Sequence, residues 1–165
     1  MDPLLDEKIV VTISASLMEI LGEWFEIDAI REAYGPTNNE GLCYEFCAKM
    51  RFSGSLQGNI FVGLDGYTKL LILPHIIEKF QISDKHPELT ESALVSFVEH
   101  IGKLVASELD EYLMHIQVDI PEIVSHKLIE VKREDFRKYM LIFFLKSSKK
   151  KAYLGRIYVF LALNK

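Results

Sequence analysis

The sequence predicts a single α+β (α/β) domain over residues 1–165, with one mostly antiparallel sheet of about five or six strands and three main helices packed on it. Three observations predict it. Apolar residues recur at helical spacing near residues 5–25 and 90–114. Alternating or continuous apolar runs fill much of 42–64 and 139–163, as strands do. The length of 165 residues suits one domain, at roughly 150 residues per domain.

The first helix is expected from Leu5 to Phe25, where Leu5, Ile9, Ile13, Leu17, Ile20, Leu21 and Trp24 form the stripe. Asp6 and Glu7 lie near its start, where acids complement the helix dipole. Gly35 to Asn39 reads as a loop. Leu42 to Phe52 and Gln57 to Leu64 read as a strand pair joined through Ser53, Gly54 and Ser55. A helix is expected from Tyr67 to Phe80, kinked or split at Pro74, because proline removes one backbone donor and crowds the preceding turn. Ser83 to Thr90 is a polar connector. The clearest element runs from Thr90 to Met114. Its stripe comprises Leu94, Phe97, Val98, Ile101, Leu104, Val105, Leu109 and Tyr112, with Ser96, Glu99, Lys103, Ser107 and Asp110 on the other side. His115 to Ile120 reads as a strand ended or edged by Pro121. Tyr139 to Leu145 and Tyr153 to Leu163 are the strongest strand runs.

Composition excludes several functions. Hydrophobic residues at 49% rule out disorder as the main state. The formal net charge of -5 argues against a nucleic-acid footprint over the whole protein. Charge is uneven, however: residues 126–165 carry net +8, including Lys146, Lys149, Lys150 and Lys151 around one turn. This turn reads as a solvated hairpin tip, with a partner or nucleic-acid contact as the alternative. No aromatic interleaves the lysines, which weakens base stacking. The longest apolar run is far short of a membrane span of about 20 residues. The opening Met-Asp-Pro-Leu-Leu-Asp-Glu lacks the basic start of a signal peptide, so a cytoplasmic protein is expected.

The chemistry-bearing residues are sparse, and no cofactor or metal is expected. Cys43 and Cys47 lack a second cysteine pair and read as ordinary half-buried thiols. His75, His86, His100, His115 and His126 are scattered. Gly54, Gly58, Gly63 and Gly66 lack the lysine end of a phosphate loop and the dinucleotide fingerprint. They read as turns and close backbone approaches. No Gly-x-Ser-x-Gly elbow is present. The polar face of the long helix is the site candidate. Glu99 and Lys103 form an i,i+4 pair, worth only about 0.2 to 0.5 kcal/mol. Gly102 costs about 1 kcal/mol against alanine inside a helix. Either something requires its smallness, such as a close crossing by another backbone, or the position tolerates the cost.

Three segments carry a family resemblance. They are Phe52-Ser53-Gly54-Ser55-Leu56-Gln57-Gly58-Asn59-Ile60-Phe61-Val62, then Val98-Glu99-His100-Ile101-Gly102-Lys103-Leu104-Val105-Ala106, then Val118-Asp119-Ile120-Pro121-Glu122-Ile123-Val124. In this order and spacing the chain resembles the CheX-type members of the CheC/CheX/FliY group of chemotaxis phosphatases, from about Leu5 to Leu163. The resemblance implies a CheX-like domain, a homodimer and a response regulator receiver domain as partner. In that family a helical glutamate pairs with the regulator's lysine. An asparagine three residues later orients the water that attacks the aspartyl phosphate, and the metal belongs to the regulator. Glu99 matches the glutamate, and Gly102 stands at the asparagine position. Ala106 and His126 are further departures, and one motif is present against two in CheC-like members.

The expectation is therefore a degenerate signalling domain that binds a receiver domain through Ser96, Glu99, Lys103 and Ser107, with little or no phosphatase activity. Two alternatives stay open: an active phosphatase using Glu99 and a non-standard water-orienting group, and a structural dimerisation module. Lys103 is a poor substitute for the carboxamide because the regulator's lysine and cation repel it. His100 points about 100° round the helix. Asn59 belongs to the strand pair.

Overall fold

The computed structural model describes residues 3–37, 41–42, 46–82, 89–124, 129–130 and 136–164. Along the chain the elements are α1 (Pro3–Phe25), β1 (Ile27–Pro36), β2 (Gly41–Leu42), β3 (Phe46–Gly54), β4 (Gly58–Leu64), α2 (Gly66–Lys79), α3 (Leu89–Asp110), β5 (Ile116–Val118), β6 (Glu122–Ile123), β7 (Ile129–Glu130), β8 (Phe136–Ser147) and β9 (Tyr153–Asn164). Seven strands make one antiparallel sheet in the order β1-β8-β9-β4-β3-β5, with β6 also paired to β3; β2 and β7 form a separate two-stranded pair. The α+β class and the three helices are as the sequence predicts. The expected sheet of about five or six strands has six strand positions and seven segments, because β5 and β6 both lie against β3, one at Phe52–Gly54 and the other at Ala48–Lys49. They occupy a single strand position, interrupted before the buried Pro121.

Two other expectations are met only in part. The residues before the expected 35–39 loop are a strand, and Gly35 and Pro36 end it. Only Ile27 and Ala29 of β1 are buried, so this edge strand carries no apolar run to announce it. Residues 38–39 of that loop lie outside the described residues, as do residues 83–88 of the polar connector, Cys43, His86 and His126. Helix α2 is not split: it runs through Pro74 to Lys79. Proline there deprives the Leu70 carbonyl of its usual donor. Leu70 is 75% exposed, so that turn is in water, which can take the donor's place.

The helices lie on one face of the sheet. Their inward stripes meet the alternating strand residues in one core, including Leu17, Leu21, Met50, Phe52, Phe97, Ile101, Phe143 and Leu161. The opposite face carries a smaller buried cluster of Cys47, Phe61, Phe160 and Ala162, in which the Phe61 and Phe160 rings meet edge to face at 5.9 Å. The Cys47 thiol there has its pKa pushed up to about 12 by burial, so it is inert rather than nucleophilic.

Local signals explain how α2 seats on the sheet. The Asp65 side chain caps it, accepting from the Thr68 amide at 2.7 Å. The Thr68 hydroxyl in turn accepts from the Arg156 amide of β9 at 2.9 Å. That contact needs Gly155, whose φ is +97° and whose missing Cβ would collide with the Thr68 hydroxyl. Gly58 likewise brings its backbone against the Ala162 carbonyl, where a side chain would overlap. Gly155→Ala is expected to cost about 2 kcal/mol or more, because it adds backbone strain to overpacking. Urea titration of the two proteins measures it, and an unchanged midpoint would remove Thr68 from the account.

The lysine-rich turn is docked rather than free. The Ser148 amide donates to the Glu26 carbonyl and its hydroxyl to Asp28 Oδ1, both at 2.9 Å. Lys149 Nζ pairs with Glu26 Oε2 at 2.9 Å, although both side chains stay largely exposed.

Candidate functional site

Helix α3 packs on β3, β5, β6, α1 and α2, with Ala93, Leu94, Phe97, Val98, Ile101, Val105 and Leu109 buried. The stripe that builds the core therefore leaves one strip of α3 facing out. Lys103, Ser107 and Asp110 are exposed on it, and Ser96 and Glu99 are half-buried at its margin. The structure brings together the four residues expected to meet a partner: Ser96, Glu99, Lys103 and Ser107.

Glu99 Oε1 lies 3.0 Å from Lys103 Nζ, with the side chains 33% and 65% exposed. An exposed pair of this kind holds a geometry without much stability, so either member can exchange its partner for an incoming charge. His100 donates from Nδ1 to the Ser96 carbonyl at 2.8 Å, since a carbonyl can only accept. Its ring is stacked on Phe80 at 4.4 Å and meets Trp24 edge-on at 5.3 Å. It faces α1 and α2, round the helix from Glu99.

Gly102 does not join this strip. It is buried against the sheet, about 60° round the helix from Glu99. A Cβ there would run into the Met50 thioether of β3 and would reach Val118 Cγ1 of β5 at 3.6 Å. What a side chain at 102 would meet first is thus the flexible end of another side chain rather than a crossing backbone. Met50 is fully buried. Asn59, the other carboxamide considered, sits on β4 opposite Arg51 and Ala162. It alternates with the core residues Ile60 and Val62 and so lies on the sheet face away from α3.

The most strongly coupled charges lie elsewhere. Asp6 of α1 is buried and accepts from Arg137 Nε at 2.6 Å, Arg137 Nη2 at 2.9 Å and the Tyr139 hydroxyl at 2.7 Å. Burial works against its charge, but the hydrogen bonds from Arg137 and Tyr139 and the Arg137 charge outweigh it and hold its pKa below the usual value. Arg137 also donates to the Asn164 carbonyl at 2.9 Å, which ties α1, β8 and the end of β9 together. This group is structural. Among the described residues, no three His, Cys, Asp or Glu side chains converge as metal ligands, and no helix is long and apolar enough to cross a membrane.

Sequence reasoning did not find the groove between α1 and α3. It has a volume of about 320 Å³ and is lined by Glu19, Ile20, Glu23 and Trp24 of α1 and His100, Lys103, Leu104 and Ser107 of α3. Its one signal in the sequence was Trp24, a large aromatic at the exposed end of the α1 stripe.

No family model matches the chain, and no curated protein matches it. Solved structures do. The crystal structure of a CheX chemotaxis protein from Desulfovibrio desulfuricans superposes with a TM-score of 0.75 at 15% identity, over 95% of this chain and 99% of that one. A CheC-like superfamily protein from Shewanella sp. PV-4 gives 0.74 at 12% identity over the whole of both chains. A chain of the CheX–CheY–BeF3–Mg2+ complex from Borrelia burgdorferi gives 0.59 at 15% identity, over 96% and 97%. At such identities these likenesses show the fold, which is that of CheX-like and CheC-like chemotaxis proteins.

Proposed function

We propose that this chain is a degenerate CheX-like signalling domain. It docks on the receiver domain of a CheY-type response regulator through the outer strip of α3, and it releases little or no aspartyl phosphate. One observation carries the reading. Glu99 stands at the margin of an accessible helical strip, while the position one turn on is a buried glycine under Met50. The carboxylate can reach a partner's lysine, and nothing at Gly102 can hold a water against phosphorus. Among the fold's relatives a CheX is seen in complex with CheY, which supports a receiver domain as the partner. The catalytic assignment of Glu99 belongs to this proposal, as do Ser96, Lys103 and Ser107 as partner contacts.

A homodimer is part of the same reading. Strand β1 pairs with β8 along one side only, among the described residues. Ile30 and Tyr34 on it are 53% and 44% exposed. A long edge with exposed apolar residues favours strand addition by a second copy. The lysine turn, engaged on Glu26 and Asp28, favours the hairpin-tip reading over nucleic acid.

The test is capture of purified CheY-type receiver domains on the immobilised chain, followed by phosphate release from those that bind. Binding without acceleration of release is expected. Fast release would instead establish the active-phosphatase alternative, and no capture at all would leave the dimerisation module.

A further inference from the structure

The groove beside the α3 strip has walls of unlike character. Its floor is apolar, built from Ile20 and Leu104. One wall is Trp24, held by edge-on contacts with His100 at 5.3 Å and Phe80 at 5.8 Å, yet still 37% exposed. The α1 rim carries Glu19 and Glu23, both exposed and without an ion pair among the described residues. On the α3 rim Lys103 is already engaged by Glu99. The groove therefore presents two rim carboxylates above an aromatic and aliphatic floor, with the Lys79 ammonium 5.8 Å from the Trp24 ring. Its volume lies near the lower limit of small-molecule pockets, about 300 Å³, which suits one protruding side chain rather than an extended peptide.

We infer that this groove is a second, specificity-determining contact for the docked receiver domain. It takes one apolar side chain of the partner that is flanked by a lysine or arginine. This rests on the docking reading above, because Lys103 belongs to both the strip and the groove wall. The apolar side chain covers the exposed part of Trp24, and its basic neighbour pairs with Glu19 and Glu23. Contacts of this type fix which partner is accepted, since a receiver domain with an acidic residue there meets two carboxylates.

The chain has one tryptophan, so fluorotryptophan incorporated into it gives a single fluorine resonance at the groove. The experiment titrates an unlabelled receiver domain that binds the wild-type chain into the labelled wild type, Glu19→Lys/Glu23→Lys and Glu99→Arg proteins. The rim residues are exposed, so their replacement leaves the fold intact. The expected results are a shifted resonance in the wild type and affinity about tenfold weaker in the rim variant, with a steeper loss on adding salt in the wild type. If Glu99→Arg abolishes binding while the rim variant binds as wild type and the resonance stays put, the groove inference is overturned and the docking reading survives. Wild-type affinity in all three proteins overturns both. A resonance that moves with the chain's own concentration, or with free indole but not with the receiver domain, also overturns it, in favour of a second copy or a small ligand.

Discussion

Asp6→Ala is expected to lower stability by about 3 to 5 kcal/mol, because it leaves the Arg137 guanidinium and the Tyr139 hydroxyl without their buried acceptor. Urea titration at neutral pH measures the loss. The same cluster sets a pH dependence whose sign is fixed. The Asp6 pKa is lower in the folded protein than in the unfolded chain. Its contribution is thus fully present above the unfolded value of about 3.9 and is lost as pH falls through the folded value. The Tyr139 pKa is instead pushed up to about 12, first by burial and then by its hydrogen bond to the Asp6 carboxylate and the charge there. That contribution is present below about 10 and is lost as pH rises from there towards 12. Wild type should therefore lose stability at both extremes, while Asp6→Asn flattens the acid limb. A variant with an unchanged acid limb would show that other carboxylates govern acid unfolding.

The second large effect concerns the glycine at the site. Met50→Ala removes a fully buried side chain and is expected to cost about 2 to 5 kcal/mol. Gly102→Ala alone gains about 1 kcal/mol of helix propensity, and the shift it forces on the flexible end of Met50 offsets part or all of that gain. In the Met50→Ala background that obstruction is gone, and the same substitution should stabilise by about 1 kcal/mol. The larger gain in that background is the readout of a double-mutant cycle. A Gly102→Ala effect of equal sign and size in both backgrounds would show that Met50 does not hold the position. An asparagine at position 102 would point at the sheet and away from the outer strip, so Gly102→Asn is expected to restore no phosphate release.

Much of this architecture was legible in the residues. The α3 stripe from Leu94 to Leu109 keeps helical spacing without interruption, so both the helix and its outward strip followed from it. The terminal strands β8 and β9 declared themselves through long apolar runs. Strand β1 did not, because an edge strand buried only at Ile27 and Ala29 has no period to detect. The continuity of α2 through Pro74 depended on where that turn meets water, which is a tertiary fact. The same holds at the site. The face bearing Glu99 could be drawn on a helical wheel, but the reason for Gly102 lies on β3, in Met50. The groove at Trp24 needs α1 laid beside α3, and no local pattern encodes that neighbour.

The Glu99 carboxylate of α3 is the proposed docking point. Calorimetric titration of a beryllofluoride-activated CheY-type receiver domain into the wild-type and Glu99→Arg chains tests it most directly. Saturable binding to the wild type and none to the variant, with equal thermal stability of the two chains, is the predicted result. Equal affinity for both chains would contradict it.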